Sequence, residues 1–166
     1  MVGQSPSMRW ILDMQVLPVD GDRKPQLFLH TEFGKTINQF SPDGRWVSYQ
    51  TAETGRSEIF VRPFPGPGGV WQISSGGGIA ARWRADGKEL YYMAPDGKLM
   101  AAPIAAQANT LIPGTPVALF QTRAALSLRA QYDVAPDGRF LINQTLADSS
   151  SAPITLLLNW HPEPGK

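Results

Sequence analysis

The chain has 166 residues, a formal net charge of +1 and no cysteine. The absence of cysteine excludes disulfides, thiolate metal sites and cysteine nucleophiles, and no clustered basic stretch of the kind that binds nucleic acid occurs. The first residues lack the charged and apolar regions of a signal peptide, and no stretch has the length of a membrane span. We therefore expect no membrane span and no nucleic-acid partner, and the localisation stays unknown.

Strand-like runs separated by turn formers occupy nearly the whole length, and helical periodicity is absent. In chain order we expect a pair of strands within 10–31, a four-stranded unit over 37–74, a second over 80–121 and an incomplete last one over 130–160. The residues 104–115 read as a long loop before an edge strand. The individual strands are predicted at 11–17, 26–31, 37–40, 46–51, 58–63, 70–74, 80–84, 89–93, 98–103, 116–121, 130–134, 139–145 and 154–159.

Three of these units share one short motif: an apolar residue, two spacers, Asp-Gly, a basic residue and an apolar run. Its aspartates, Asp43, Asp86 and Asp137, lie 43 and 51 residues apart. A period of this size with four short strands per repeat is typical of β-propeller blades. The prediction is an all-β fold, an incomplete β-propeller of about three to four antiparallel blades that forms one domain over 1–166. Residues 10–31 are then the outer strands of a first blade.

The repeated Asp-Gly pair has a structural role in a turn. Aspartate can accept a hydrogen bond from the backbone two residues on, and glycine takes the positive φ that follows. Calcium binding by these loops is a weaker interpretation, because they lack the dense Asp/Asn series of a dedicated calcium loop. We expect no metal and no cofactor.

Several segments resemble TolB-type β-propeller repeats: VLPVDGDRKP at 16–25, SPDGRW at 41–46, RPFPG at 62–66 and WRADGKELYY at 83–92. More narrowly, these segments and ITLLLNW at 154–160 are similar to the C-terminal propeller region of certain bacterial serine/threonine protein kinases. The resemblance covers about 14–160 and implies a six-bladed sensor or protein-interaction module, outside the membrane in the parent architecture. Kinase motifs (His-Arg-Asp, Asp-Phe-Gly, a Gly-rich nucleotide loop) are absent from the sequence, so phosphotransfer does not carry over.

Catalytic signatures are also few. The two histidines, His30 and His161, are poor candidates for a metal site or a triad, and no Gly-x-Ser-x-Gly elbow is present. The glycine-rich stretches at 66–69 and 76–78 precede strands rather than helices, so they favour turns over phosphate binding. A glycosidase-type carboxylate pair would have to be drawn from different blades, with these candidates: Glu53, Glu58, Glu89 and Asp133.

In a propeller, the inner strands and the loops on one face surround the central channel. The loops predicted at 52–57, 75–79 and 122–129 share that face. Its charged residues form a candidate partner-binding set, Glu53, Arg56, Arg82, Arg123 and Arg129. The prediction is a non-catalytic module for a protein or peptide partner, which self-associates as a homodimer or other homo-oligomer to complete the ring. The alternative is a hydrolase or lyase with its active site on the channel face.

Overall fold

A computed structural model of the chain describes residues 13–124 and 131–144. Within these ranges the chain forms strands, turns and loops without a helix, so no helix there is long and apolar enough to cross a membrane. The strands are β1 Met14–Val16, β2 Gln26–Leu29, β3 Lys35–Phe40, β4 Trp46–Thr51, β5 Glu58–Pro63, β6 Trp71–Gln72, β7 Ile79–Trp83, β8 Glu89–Met93, β9 Lys98–Gln107, β10 Thr110–Pro113, β11 Val117–Gln121, β12 Tyr132–Val134 and β13 Phe140–Ile142.

The strands form four antiparallel sheets in chain order. The first contains β1 and β2, the second β3 to β6, the third β7 to β11, and the fourth β12 and β13. The first strands of the second, third and fourth sheets are neighbours, because β7 contacts both β3 and β12. This arrangement is an incomplete β-propeller: an all-β arc of sheets that does not close into a ring within the described residues.

Apolar side chains pack between successive sheets, as propeller blades require. One cluster joins the first two sheets and includes Met14, Tyr49 and Phe60. A larger cluster joins the second and third sheets through Trp46 and Trp83, among others. A third lies between the third and fourth sheets, with these buried members: Ala80, Tyr91, Met93, Leu99, Ala101, Ala124 and Tyr132.

The turns between the first two strands of the second, third and fourth sheets have the predicted chemistry. Oδ1 of Asp43 accepts the Arg45 amide at 3.1 Å, and Asp86 and Asp137 accept the amides two residues on at 3.0 and 3.1 Å. Gly44 follows with a φ of +70°. The turn role of the repeated Asp-Gly pair is therefore confirmed.

Strand bounds agree closely with prediction in the centre of the chain and differ elsewhere. The strands β4, β5 and β8 begin and end at the predicted residues, while β6 is shorter than the predicted 70–74. The strand predicted at 154–159 lies outside the described residues. That 10–31 forms the outer pair of a blade stays a prediction, and the structure shows β1 and β2 paired with each other.

The prediction of a loop at 104–115 is wrong. There β9 continues to Gln107 and pairs with β10, so a β-hairpin extends from the third sheet. Ile104 and Leu111 bury their side chains on one face of this hairpin, which stabilises it in place of a loop. Pro103 lies where β9 changes partner from β11 to β10, a position that tolerates a residue without an amide donor.

Candidate functional site

Loops 52–57 and 73–78 lie at the same end of the sheets, because successive antiparallel strands reverse direction. Together with the start of the 122–129 loop and the side chains of the inner strands β7 and β12, they make up what we term the channel face. The three repeated Asp-Gly turns, at Asp43, Asp86 and Asp137, lie at the opposite end, and Arg82 and Asp133 are on the parts of β7 and β12 nearest to it. The candidate partner-binding residues are thus placed by strand order, and their local contacts determine what each side chain can do.

Arg82 and Asp133 meet across two blades on the channel face. Arg82 is on β7 and Asp133 on β12, and Nε of Arg82 lies 3.6 Å from Oδ1 of Asp133. The Arg82 guanidinium also donates to the carbonyl of Ala81 at 3.1 Å. The arginine is three-quarters buried and the aspartate is exposed, so this pair contributes little to stability. Its effect is to present a fixed arginine and an accessible carboxylate side by side.

Glu53 and Arg56 stand on the loop between β4 and β5. The Arg56 side chain is 65% exposed, and its Nε lies 4.0 Å from Oε1 of Glu58. Glu53 is exposed on the same loop, and its charge helps to raise the pKa of Tyr49 to about 12, an effect caused first by burial of the phenol. Both candidates are accessible to a partner.

The buried side chain of Glu58 holds this part of the channel face in place through hydrogen bonds. Its carboxylate is 2% exposed, accepts the backbone amide of Gly77 at 2.9 Å, and accepts the hydroxyl of Ser74. The Ser74 hydroxyl oxygen in turn accepts the amide of Ile59 at 2.8 Å. One buried carboxylate therefore ties loop 73–78 to the start of β5. Since the Gly77 amide is already bonded, this glycine-rich loop offers little for phosphate.

Arg123 and Arg129 belong to the connection between the third and fourth sheets. The side chain of Arg123 is exposed, and its backbone amide donates to Oε1 of Gln144 at 3.2 Å. Arg129 lies outside the described residues. Within the described part of the chain, the candidate set thus divides into separate contacts rather than one ion-pair cluster.

Two glutamines that the sequence analysis did not select join the second and third sheets. Oε1 of Gln50 accepts the amide of Ala80, and Oε1 of Gln39 accepts the amide of Trp83, both at 2.8 Å. They satisfy backbone donors around an irregularity in the pairing of β7, where Ala80 has a φ of +57°. The repeats contain the signal, because Gln39, Arg82 and Asp133 each immediately precede the apolar residue of the motif. At all three positions the side chain reaches the neighbouring blade.

The carboxylates weighed as a catalytic pair have different environments. Glu89 begins β8 at the end of the sheet opposite the channel face, where it accepts the hydroxyl of Tyr91 at 2.7 Å and pairs with Arg84 at 3.2 Å. Burial, together with Glu89, raises the pKa of Tyr91 to about 12. Glu58 is committed to the bonds described above and Asp133 to Arg82. Of these four carboxylates, Glu53 and Asp133 are exposed on the channel face.

The described residues contain no group of three or more His, Asp or Glu side chains arranged to hold a metal ion. The imidazole of His30 lies 2.6 Å from a carboxylate oxygen of Asp13 on an exposed part of the first sheet. His161 lies outside the described residues. In the described ranges the hydrogen-bond partner of His30 is Asp13, which lies outside the channel face.

Comparisons with known proteins find no matching family model and no matching curated protein. Among solved structures, TolB from Acinetobacter baumannii is similar, with 16% sequence identity and a TM-score of 0.46. The match covers 77% of this chain and 42% of that one, so the chain spans less than half the length of that neighbour. The assignment of the fold rests on the sheets and their packing.

Proposed function

We propose that the channel face binds a protein or peptide partner and that the chain has no catalytic activity of its own. The observation that carries the proposal is the contrast between Glu58 and Arg56. The buried Glu58 carboxylate fixes loop 73–78 to the start of β5, beside the loop 52–57 from which the exposed Arg56 projects. Binding residues are typically placed in this way, on loops held by a rigid scaffold.

The charge of the candidate set indicates the chemistry of the partner. Four of its five members are arginines, whose planar guanidinium groups bind carboxylates with two parallel hydrogen bonds. We infer that the partner presents Asp or Glu side chains to this face. The carboxylates of Glu53 and Asp133 repel acidic side chains of the partner, and this repulsion restricts how the partner segment aligns along the face.

An array of acidic and neutral synthetic peptides, read by fluorescence anisotropy, tests this proposal. The charge reversal R56E is expected to weaken binding of the acidic peptides, whereas R139E in the Asp-Gly turn at the opposite end leaves it unchanged. Equal losses in both variants, or no preference for acidic peptides, would contradict the proposal. A hydrolase or lyase activity on broad substrates that disappears in E53Q or D133N would overturn the non-catalytic assignment.

We also propose that the chain associates with a second copy of itself. The support is apolar surface left exposed at both ends of the arc: Ile37 and Phe40 on β3 at one end, and Leu141 at the other, 79% exposed. Between β3 and the first sheet there is also an apolar cavity of about 260 Å³ that includes Phe28 and Phe64 in its lining. Apolar surface of this kind marks association sites.

Light scattering and sedimentation across a range of protein concentrations test self-association. We expect the mass to rise above that of one 18.1 kDa chain as concentration increases. L141K is expected to shift this rise to higher concentration, while I112K on the exposed side of the β9–β10 hairpin has no effect. A mass that stays at one chain throughout would refute the proposal.

The narrower resemblance supports a last part of the proposal, that the chain is a sensor-type fragment related to propellers of bacterial serine/threonine kinases. In that architecture the propeller lies outside the membrane. Reading the gene upstream of this sequence tests it, because a kinase domain followed by a membrane helix is the expected neighbour. An upstream region without either would argue for a different parent protein.

A further inference from the structure

A cavity of about 450 Å³ lies between the second and third sheets, at the end opposite the channel face. It forms where two Asp-Gly turns come together: a Cβ placed on Gly87 would lie 3.8 Å from Cδ of Pro42. The partner-binding proposal does not use this end of the molecule, and the cavity is independent of it.

Two tryptophans in the lining have unsatisfied hydrogen-bond donors. The side chains of Trp46 and Trp83 both line the cavity, and the residues are 3% and 4% exposed. The indole Nε1 atom of each is buried and has no acceptor among the described residues. A buried indole N–H normally has a partner, so two orphans beside one cavity call for an explanation. Because both nitrogens are buried, a ligand oxygen would supply the missing acceptor only where the side chains that cover them move aside.

The rim of the cavity carries charges of both signs. Asp43 and Asp86 contribute carboxylates, and Lys88 contributes an ammonium group. Burial would raise the pKa of Asp43, but hydrogen bonds from the Ser41 hydroxyl and the Arg45 amide lower it, so this carboxylate is an acceptor at neutral pH. Asp86 forms an ion pair with Arg84, whose Nε lies 3.5 Å from Oδ2 of the aspartate.

The β9–β10 hairpin closes one side of the cavity and is held to the opposite blade. Its buried side chains Ile104 and Leu111 line the cavity beside the tryptophans. At its tip the Arg45 guanidinium donates to the carbonyl of Ala108 and, at 3.4 Å, to the side-chain oxygen of Asn109. The same guanidinium lies 5.8 Å from the ring centre of Trp46. The walls of the cavity are thus formed by two blades and by the β9–β10 hairpin that joins them.

These groups together select for a neutral ligand with many hydroxyls. Two carboxylates repel an anion, whereas two indole N–H donors and Lys88 are unsuited to a cation. A hydroxyl can donate to Asp43 or Asp86 and accept from an indole or Lys88 at the same time. We propose that this cavity binds a small neutral polyhydroxylated ligand, such as one unit of a saccharide, against the Trp46 and Trp83 floor.

Indole N–H signals of the ¹⁵N-labelled full chain provide the test. Glucose, galactose, mannose and N-acetylglucosamine are titrated to high millimolar concentration, with glucosamine and glucuronate as the cationic and anionic analogues of glucose. We expect at least one neutral sugar to shift the indole signals of Trp46 and Trp83 while that of Trp71 moves less. Shifts only with glucosamine or only with glucuronate would overturn the proposal. So would no shift with any sugar, which would assign the two donors to buried water.

Variants locate the site and separate binding from folding. W46F and W83F identify the two signals and remove the donors while keeping a ring in place. D43N and D86N keep the turn, because asparagine also accepts the backbone hydrogen bond, and are expected to weaken binding about tenfold. D137N in the equivalent turn of the last repeat is the matched control and should bind normally. Equal affinity for D43N, D86N and D137N, in variants with unchanged melting temperatures, would place the sugar elsewhere and refute the site.

Discussion

Replacing Glu58 with glutamine tests how the channel face is held together. Glutamine has the same shape as glutamate, but it offers one acceptor oxygen where the carboxylate offers two. The native carboxylate accepts the Gly77 amide at one oxygen and the Ser74 hydroxyl at the other. In E58Q one of these two partners faces an NH2 group and loses its acceptor. The perturbation is therefore the loss of one charged hydrogen bond at a site that is 2% exposed.

The expected magnitude follows from that geometry. A hydrogen bond to a charged group contributes about 1.5–3 kcal/mol, and a buried donor left without an acceptor costs a comparable amount. We expect E58Q to lower the free energy of unfolding by about 2 kcal/mol. The ion pair with Arg56 adds little to this, because its atoms are 4.0 Å apart and the arginine is exposed.

Urea unfolding measures this change, with E53Q as the matched control. E53Q makes the same charge change on the adjoining exposed loop and should alter the free energy of unfolding by less than about 0.5 kcal/mol. S74A also removes the acceptor of the Ile59 amide, so a double-mutant cycle with E58Q isolates the Glu58–Ser74 term, expected at about 1 kcal/mol. The reasoning is refuted if E58Q and E53Q have the same stability, or if the cycle shows no coupling.

Three further predictions concern other parts of the fold. Q39L should lower the free energy of unfolding by about 1 kcal/mol, since the Trp83 amide loses its acceptor; a urea midpoint equal to that of the native chain would contradict this. Both G77A and G44A place a side chain at positive φ, but only at Gly77 would the new Cβ overlap Pro95, so calorimetry should show the larger fall in melting temperature for G77A. Burial raises the pKa of every tyrosine, and it does so to about 12 for Tyr49 and Tyr91. The contribution of these shifts to the free energy of unfolding is therefore fully present below the unfolded pKa of about 10 and is lost as pH rises toward about 12. Ultraviolet absorbance of tyrosinate checks this, and titration near pH 10 in the folded chain would disprove it for Tyr49, Tyr91, Tyr92 and Tyr132.

Much of the fold was predictable because its signals are local. The Asp-Gly motif marks each repeated turn, and short runs rich in apolar, β-branched and aromatic residues between turn formers mark β4, β5 and β8, whose bounds agree with prediction. The β9–β10 hairpin was not predictable in the same way. Its stability comes from burial of Ile104 and Leu111 against the neighbouring blade, which depends on distant residues. The proline-flanked, alanine-rich sequence at 104–115 therefore led to the prediction of a loop.

The candidate site was predictable only in outline. Strand order alone places loop 52–57 and the start of β7 at one end of the sheets, whereas Arg82 lies close to the other end of β7. Which charges pair depends on distances between blades, and the pairing of Arg82 with Asp133 is of this kind. The interblade role of Gln39 required alignment of the three repeats by position rather than by residue type. Whether these residues bind a partner stays a prediction.

The hydrogen bonds from Arg45 to the tip of the β9–β10 hairpin bear on how the molecule unfolds. Repeat proteins behave as chains of units whose cooperativity is set by contacts between neighbours. A hairpin that belongs to one blade and is fastened to the next makes those two blades a single cooperative unit. Slow amide hydrogen exchange is then expected to extend without a break from β4 to β9, and the two-stranded sheets on either side of this unit would open first.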